Sequence, residues 1–384
     1  MRNLSRRMMS TKPTQSYISC ERRGSLAAIT LQRPRALNAL NLEMVRELQA
    51  AFQDASTDAS VRCLLLTGEG KAFCAGGDVK AVMLAAKEEP PARGNIADAF
   101  FREEYTLNAA LAASDKPQVS VWDGICMGGG AGLSVHGKFR VATEKALFAM
   151  PETNIGLFPD VGASHFLSSL PGGLGPYLAL TGSRLGPADL LYSGLATHYV
   201  PSSTLPSLAA ALEGCGSSDD VSAALDAVAA SPGKSRLEAV QHAIDECFGQ
   251  PTVEAIVAAL RARDKDAGCA WASETRHTLS RMSPTSCKVT LRLLIEARGR
   301  PLSECLRAEF RACQRFMRQP SDFFEGIRAA LVDKDKAPRW APQSLTDVAD
   351  ESVAEYLAPL QHHRGEPHVL TSFFSPQVFC AAVR

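Results

Sequence analysis

Residues 124–162 read GICMGGGAGLSVHGKFRVATEKALFAMPETNIGLFPDVG, and no other part of the chain limits its architecture so much. A short apolar strand pattern runs into a cluster of glycines, and a helical pattern follows. The unit of buried strand, glycine turn and helix occurs at 61–85 (VRCLLLT, then GEGKAFCAGGDVKAV) and again at 118–137. Strands alternating with helices in this way specify an α/β fold. The recurrence is one of architecture and not of sequence.

The flanking segments fit the same pattern. Residues 25–31 (SLAAITL) read as a strand. Asn41 is placed to cap a helix whose Leu42, Val45, Leu48 and Phe52 share one face. Residues 86–96 read as a loop, and 100–113 as a helix closed by Lys116-Pro117. A single strand is expected at 118–125, short strands at 139–143 and 147–150, and helices at 164–181 and 187–194. From about 205 the texture turns Ala-rich and helical, through 205–265 and 284–331. The expected organisation is a leader at 1–20, an α/β core at 21–205, a helical region at 206–345 and a tail at 346–384.

Charge excludes some partners. Lys+Arg and Asp+Glu both total 41, so no global field recruits DNA or a membrane surface. No apolar run approaches the roughly 18–20 residues that a spanning helix needs. The 11 cysteines are scattered without a C-x-x-C, which signals neither zinc nor a redox dithiol and fits reduced thiols. No metal is expected. The first twenty residues hold Arg2, Arg6, Arg7 and Lys12, no acid, and several hydroxyl residues. That is the composition of an organellar transit peptide.

Three motifs carry chemistry. In GKAFCAGGD (70–78) a glycine pair after a buried strand can aim a backbone N–H at a substrate oxygen. In MGGGAG (127–132) the dinucleotide pattern fails, because Leu133 or Val135 holds its last position. The nucleophile elbow fails too, ending in His136. What remains is a helix start with exposed amides, suited to an oxyanion. In MPETNIGLFPDVG, Glu152 and Asp160 stand among Met150, Ile155, Leu157 and Phe158. Apolar surroundings raise a carboxyl pKa toward the range useful for acid–base work. Glu104, in REEY, shares a helix face with Asn108 and Leu111. His136, His165 and His198 lack metal-ligand spacing and read as structural.

Taken in order from about 20 to 342, RPRALNAL, GKAFCAGGD, FFREEYTLN, MGGGAGLSVHGKFRVATEKALFAMPET, IGLFPDVG and DFFEGIRAALVDKDKAPRW resemble the crotonase (enoyl-CoA hydratase/isomerase) superfamily. Within it they resemble the branch that hydrolyses 3-hydroxyisobutyryl-CoA in valine breakdown. The resemblance implies a crotonase-like spiral of ββα units with a helical C-terminal region, assembled as a homo-oligomer, a trimer or hexamer. It implies an acyl-CoA substrate, with no cofactor beyond the coenzyme A of that substrate, and a location in the mitochondrial matrix. It places an oxyanion hole at the amides of Gly77 and Gly129, catalytic carboxylates at Glu152 and Asp160, and a substrate contact at Glu104. Gly129, Glu152 and Asp160 contact substrate as well. Gly132 stands where hydratases carry their first glutamate, and Asp160 where they usually carry glycine. Both departures point to hydrolysis over water addition to a double bond. The second glycine expected after FPDV is Ala163. The alternatives are another crotonase reaction, a hydratase or isomerase, or a hydrolase-like component of the mitochondrial small ribosomal subunit.

Overall fold

The computed structural model describes residues 16–88, 95–267 and 270–360. Residues 1–15, most of the proposed leader, lie outside the described residues, as do 89–94 of the expected loop and 361–384 of the tail.

Among the described residues, nine strands form two sheets. A hairpin of β1 (Ile18–Arg23) and β2 (Leu26–Leu31) opens the chain. Then come β3 (Cys63–Gly68) and β4 (Ala72–Cys74), β5 (Gln118–Trp122) and β6 (Ile125–Met127), β7 (Phe139–Ala142) and β8 (Leu147–Ala149), and finally β9 (His198–Tyr199). The larger sheet runs β1-β2-β3-β5-β7-β9 and the smaller β4-β6-β8. All pairs are parallel except β1 with β2. Each turn of the chain thus lays one strand in the large sheet and the next in the small one before a helix returns it. This is the crotonase-like spiral.

Some expectations differ from the structure. Residues 18–20, assigned to the leader by composition, belong to β1, whose backbone pairs with β2 from Ile18 onward. The strand expected at 118–125 is two strands, because Gly124 takes φ 148° and turns the chain from one sheet to the other. A Cβ at Gly124 would stand 2.3 Å from the Lys71 carbonyl oxygen, so only glycine lets the two crossovers touch.

The helices follow the strands. α1 (Leu42–Thr57) is capped by Asn41, whose side chain accepts from the Met44 N–H, and it buries Val45, Leu48 and Phe52. α2 (Val79–Glu88), α3 (Ile96–Ala112) and α4 (Gly129–Ser134) come next, then α5 (Ala163–Ser168), α6 (Leu174–Thr181) and α7 (Pro187–Tyr192). A Pro-Gly-Gly turn at 171–173 splits the single helix expected at 164–181.

The central strands β2, β3 and β5 of the large sheet are buried on both faces, which is why they read as near-continuous apolar runs. Side chains alternate across a strand. Leu64 and Leu66 face the main core, while Cys63 and Leu65 face a second cluster with Val119, Val121 and Val141. That second face is covered by α8 (Leu205–Leu212) and α9 (Ser218–Asp226) through Leu208, Leu212, Val221 and Leu225. The change of texture at 205 therefore coincides with no gap in packing. α10 (Arg236–Phe248), α11 (Val253–Ala267), α12 (Ala270–Leu279) and α13 (Pro284–Ala297) build outward from α5–α7. α14 (Leu302–Phe316) lies on α3 and α5, α15 (Asp322–Ile327) on α2, and α16 (Asp350–Leu357) on α13 and α14.

Candidate active site

A cleft of about 360 Å³ opens where β4 and β6 end, with α3 along one side and the segment after β8 along the other. Gly77, Glu104, Gly129, Glu152 and Asp160 all line it. The five residues singled out in the sequence come from four separate segments and meet in one place.

The two glycines owe their positions to the small sheet. Leu40 bridges in parallel to Gly77, giving its N–H to the Gly76 carbonyl and accepting the Asp78 N–H. That register turns the N–H of Gly77 away from Leu40. Gly129 is the first residue of α4, where an N–H has no carbonyl within its own helix. Both amides thus sit at the ends of adjacent strands beside the cleft.

The carboxyls crowd this backbone. A Cβ on Gly128 would stand 2.8 Å from Glu152 Oε1, and one on Gly129 2.5 Å from Glu104 Oε1. Glu104, Glu152 and Asp160 are 2%, 6% and 5% exposed, so all three are nearly dry. Burial, followed by the charge of Asp160, raises Glu104 and Glu152 well above the ordinary carboxyl range. Burial also raises Asp160, to about 6, against the opposing pull of a hydrogen bond donated by Tyr105. That bond, Tyr105 O–H to Asp160 Oδ2, is 2.7 Å and buried. Glu104 Oε1 and Glu152 Oε2 are buried without a partner. The arrangement brings two backbone N–H groups beside three buried carboxyls whose affinity for protons is raised by burial.

Position 132 carries a packing constraint. A Cβ on Gly132 would lie 2.6 Å from the Val161 Cβ and 3.0 Å from Asn108 Nδ2. A glutamate there has no room while Val161 keeps its place. Val161 itself has φ 56°, unusual for a β-branched residue and a store of local strain beside Asp160. Two side chains hold it there. His136 Nε2 meets the Val161 carbonyl at 2.8 Å, and burial pushes that imidazole down to about 4, so it is neutral and donates. Glu309, on α14, accepts the Gly162 N–H at 2.7 Å and the Ser164 N–H at 2.9 Å. Gly162 turns at φ 84°, and Ala163, where a second glycine was expected, simply opens α5.

Tyr105, His136, Val161 and Glu309 escaped the sequence reading as parts of the site. The sequence shows no partner for His136; the structure sets its ring against the Val161 carbonyl. One signal was present: Glu309 is an acid in the apolar stripe of α14, with Cys305, Leu306, Cys313 and Phe316. Lone acids in such stripes have a buried partner or function.

The model of the family described as enoyl-CoA hydratase/isomerase matches residues 26–357. "3-Hydroxyisobutyryl-CoA hydrolase, mitochondrial" of Mus musculus is 45% identical, covering 92% of this chain and 91% of its own length. The Homo sapiens protein of the same name is 42% identical with 92% of each covered, and "3-hydroxyisobutyryl-CoA hydrolase 1" of Arabidopsis thaliana is 44% identical, covering 89% and 92%. Among solved structures, a carnitinyl-CoA dehydratase from Mycobacterium thermoresistibile superposes with TM-score 0.83 at 39% identity, covering 92% of this chain and 100% of that one. An enoyl-CoA hydratase from Rhodobacter sphaeroides gives TM-score 0.81 at 38% identity, over 90% and 98%.

Proposed function

The chain belongs to the enoyl-CoA hydratase/isomerase family, and from that premise we propose that it hydrolyses the thioester of 3-hydroxyisobutyryl-CoA to 3-hydroxyisobutyrate and CoA, a step of valine catabolism. The observation that carries the choice of hydrolysis over hydration is position 132. Glycine is packed there against Val161, while Asp160 and Glu152 share the cleft.

The N–H groups of Gly77 and Gly129 receive the thioester carbonyl oxygen, each donor worth about 3 kcal/mol as negative charge develops. Glu152 either attacks the carbonyl carbon, forming an anhydride that water then opens, or removes the proton of an attacking water. The C–S bond breaks on both routes. On the first, CoA leaves as thiolate when Glu152 adds and takes its proton from the water that opens the anhydride at the Glu152 carbon; on the second, Glu152 hands the proton taken from the attacking water to the departing sulfur. Asp160 accepts the hydrogen bond of the 3-hydroxyl, and Glu104 lies against the acyl group beside Gly129. The scheme uses no cofactor beyond the CoA of the substrate. The relatives' printed mitochondrial location and the basic, acid-free leader support a mitochondrial protein, and we place it in the matrix as a homotrimer or homohexamer.

The test is thiol release from 3-hydroxyisobutyryl-CoA by residues 16–384, a start that spares β1. Glu152→Gln and Asp160→Asn should each lower kcat/KM by about 10²-fold or more. Full activity in Glu152→Gln would remove it from the chemistry. Hydration of crotonyl-CoA in place of thiol release would move the protein to the other family reaction.

A further inference from the structure

Resting on the hydrolase reading above, we infer that Tyr105 is a positioning residue of this site: its phenol pins one oxygen of Asp160 and reserves that carboxylate as a hydrogen-bond acceptor for the substrate hydroxyl. The O–H donates to Asp160 Oδ2 at 2.7 Å, with both residues buried. The donor has little freedom. The Tyr105 ring is wholly buried between Phe101 and Phe310, with edge contacts at 6.1 and 6.3 Å.

The acceptor is fixed from the other side. Asp160 precedes the strained Val161, whose carbonyl is held by His136, and the next N–H, of Gly162, is held by Glu309. The other two carboxyls differ. Glu104 Oε1 and Glu152 Oε2 have no partner in their buried surroundings.

Asp160 is faced by Tyr105 and Glu104 from α3, by Glu152 from the turn after β8, by Glu309 and Cys313 from α14, and by His136 after α4 through the backbone of Val161. These groups are acids, a phenol, a thiol and a neutral imidazole, and none supplies a positive charge at neutral pH. The Tyr105 hydroxyl is therefore the side-chain donor that favours the charged form of Asp160, holding it at about 6 against burial. An ionised Asp160 takes the substrate hydroxyl; a protonated one competes as a donor.

The experiment is the pH profile of kcat/KM for 3-hydroxyisobutyryl-CoA hydrolysis. Tyr105→Phe keeps the ring among Phe101 and Phe310 and removes the donor. The acid limb should move up by about one pH unit, a loss of about tenfold below the limb that closes at alkaline pH. Uniform replacement of the six tyrosines by 3-fluorotyrosine, whose phenol donates more strongly, should move the limb down, and it needs no truncated side chain to fold. Equal loss at every pH with an unmoved limb would overturn the proposal and reduce Tyr105 to packing. If the wild type releases no thiol, the hydrolase reading fails separately. The Tyr105 assignment is then read from ¹³C-carboxyl NMR of labelled aspartate, with the Asp160 signal identified by its loss in Asp160→Asn. An upward shift of that titration in Tyr105→Phe supports the assignment, and no shift overturns it.

Discussion

At single positions, chemistry and packing compete for the same few cubic ångströms. Gly132 is a glycine because Val161 and Asn108 occupy the volume a side chain would need. Gly132→Glu should therefore fail to install hydratase activity and should cost about 1–3 kcal/mol through overpacking, read as a lower melting temperature. A Gly132→Glu protein that melts like wild type and hydrates crotonyl-CoA would show that Val161 yields freely. Asn108 is wholly buried, and neither of its amide atoms has a partner. Two unmet polar atoms in a dry setting are costly. Asn108→Leu, similar in size, should be neutral or stabilising to unfolding if the amide serves no bound group. A fall in kcat/KM at unchanged melting temperature would instead place Asn108 in substrate or water handling. The route through Glu152 is also decided at one atom: where water opens the anhydride at the Glu152 carbon, a single turnover in H₂¹⁸O labels the Glu152 carboxyl, whereas the general-base route puts the label in the product alone.

Secondary-structure elements matter here through their ends. The amides of Gly77 and Gly129 are available because one follows a strand and the other begins a helix, where backbone donors go unused. α14 acts at a distance from the chemistry. Its Glu309 takes two N–H groups and the Ser164 hydroxyl at the start of α5, fixing the chain directly after Asp160. Glu309→Ala should lower stability by about 1–3 kcal/mol, since three buried donors lose their acceptor. It should also lower kcat more than it raises KM, measured by the same thiol assay. An unchanged melting temperature would mean that water replaces the carboxylate without loss.

For the whole molecule, the buried acids set a pH signature. Folded-state values are raised for Glu104 and Glu152, and for Glu309 to about 8. Burial is the first cause for all three. A raised acid keeps its proton in the folded state after the unfolded chain has released it. Its contribution to stability is therefore full below about pH 4.5 and declines as pH rises through the folded value, by about 1.4 kcal/mol per unit for each such group. His136, depressed to about 4, acts in the opposite sense below 6.5 and drops out above it. The melting temperature should thus fall from pH 6.5 to 8, and Glu309→Gln should flatten that fall; a midpoint constant over this range would contradict the burial of these acids. Packing makes a second prediction. α8 and α9 cover the second face of the large sheet. A fragment ending at 205 would expose Leu26, Leu65, Val119, Val121 and Val141 together, and it should be recovered insoluble. A soluble, cooperatively unfolding fragment would show that 205 is a true domain boundary.

Much of this was legible along the chain. Apolar period, glycine turns and Asn41 reveal the α/β alternation and the start of α1, because propensity and capping act within a few residues. The motifs named Gly77, Glu104, Gly129, Glu152 and Asp160, because backbone donors and carboxyls in that order leave a readable trace. The break at Gly124, the strain at Val161 and the parts played by Tyr105, His136 and Glu309 left no such trace. Each depends on an atom brought close by folding from a distant place in the chain: the Lys71 carbonyl, the Gly132 backbone, the Asp160 carboxylate, the Val161 carbonyl and the Gly162 amide. Such contacts have no period and no local preference, so they come into being when the two sheets and α14 close around the cleft.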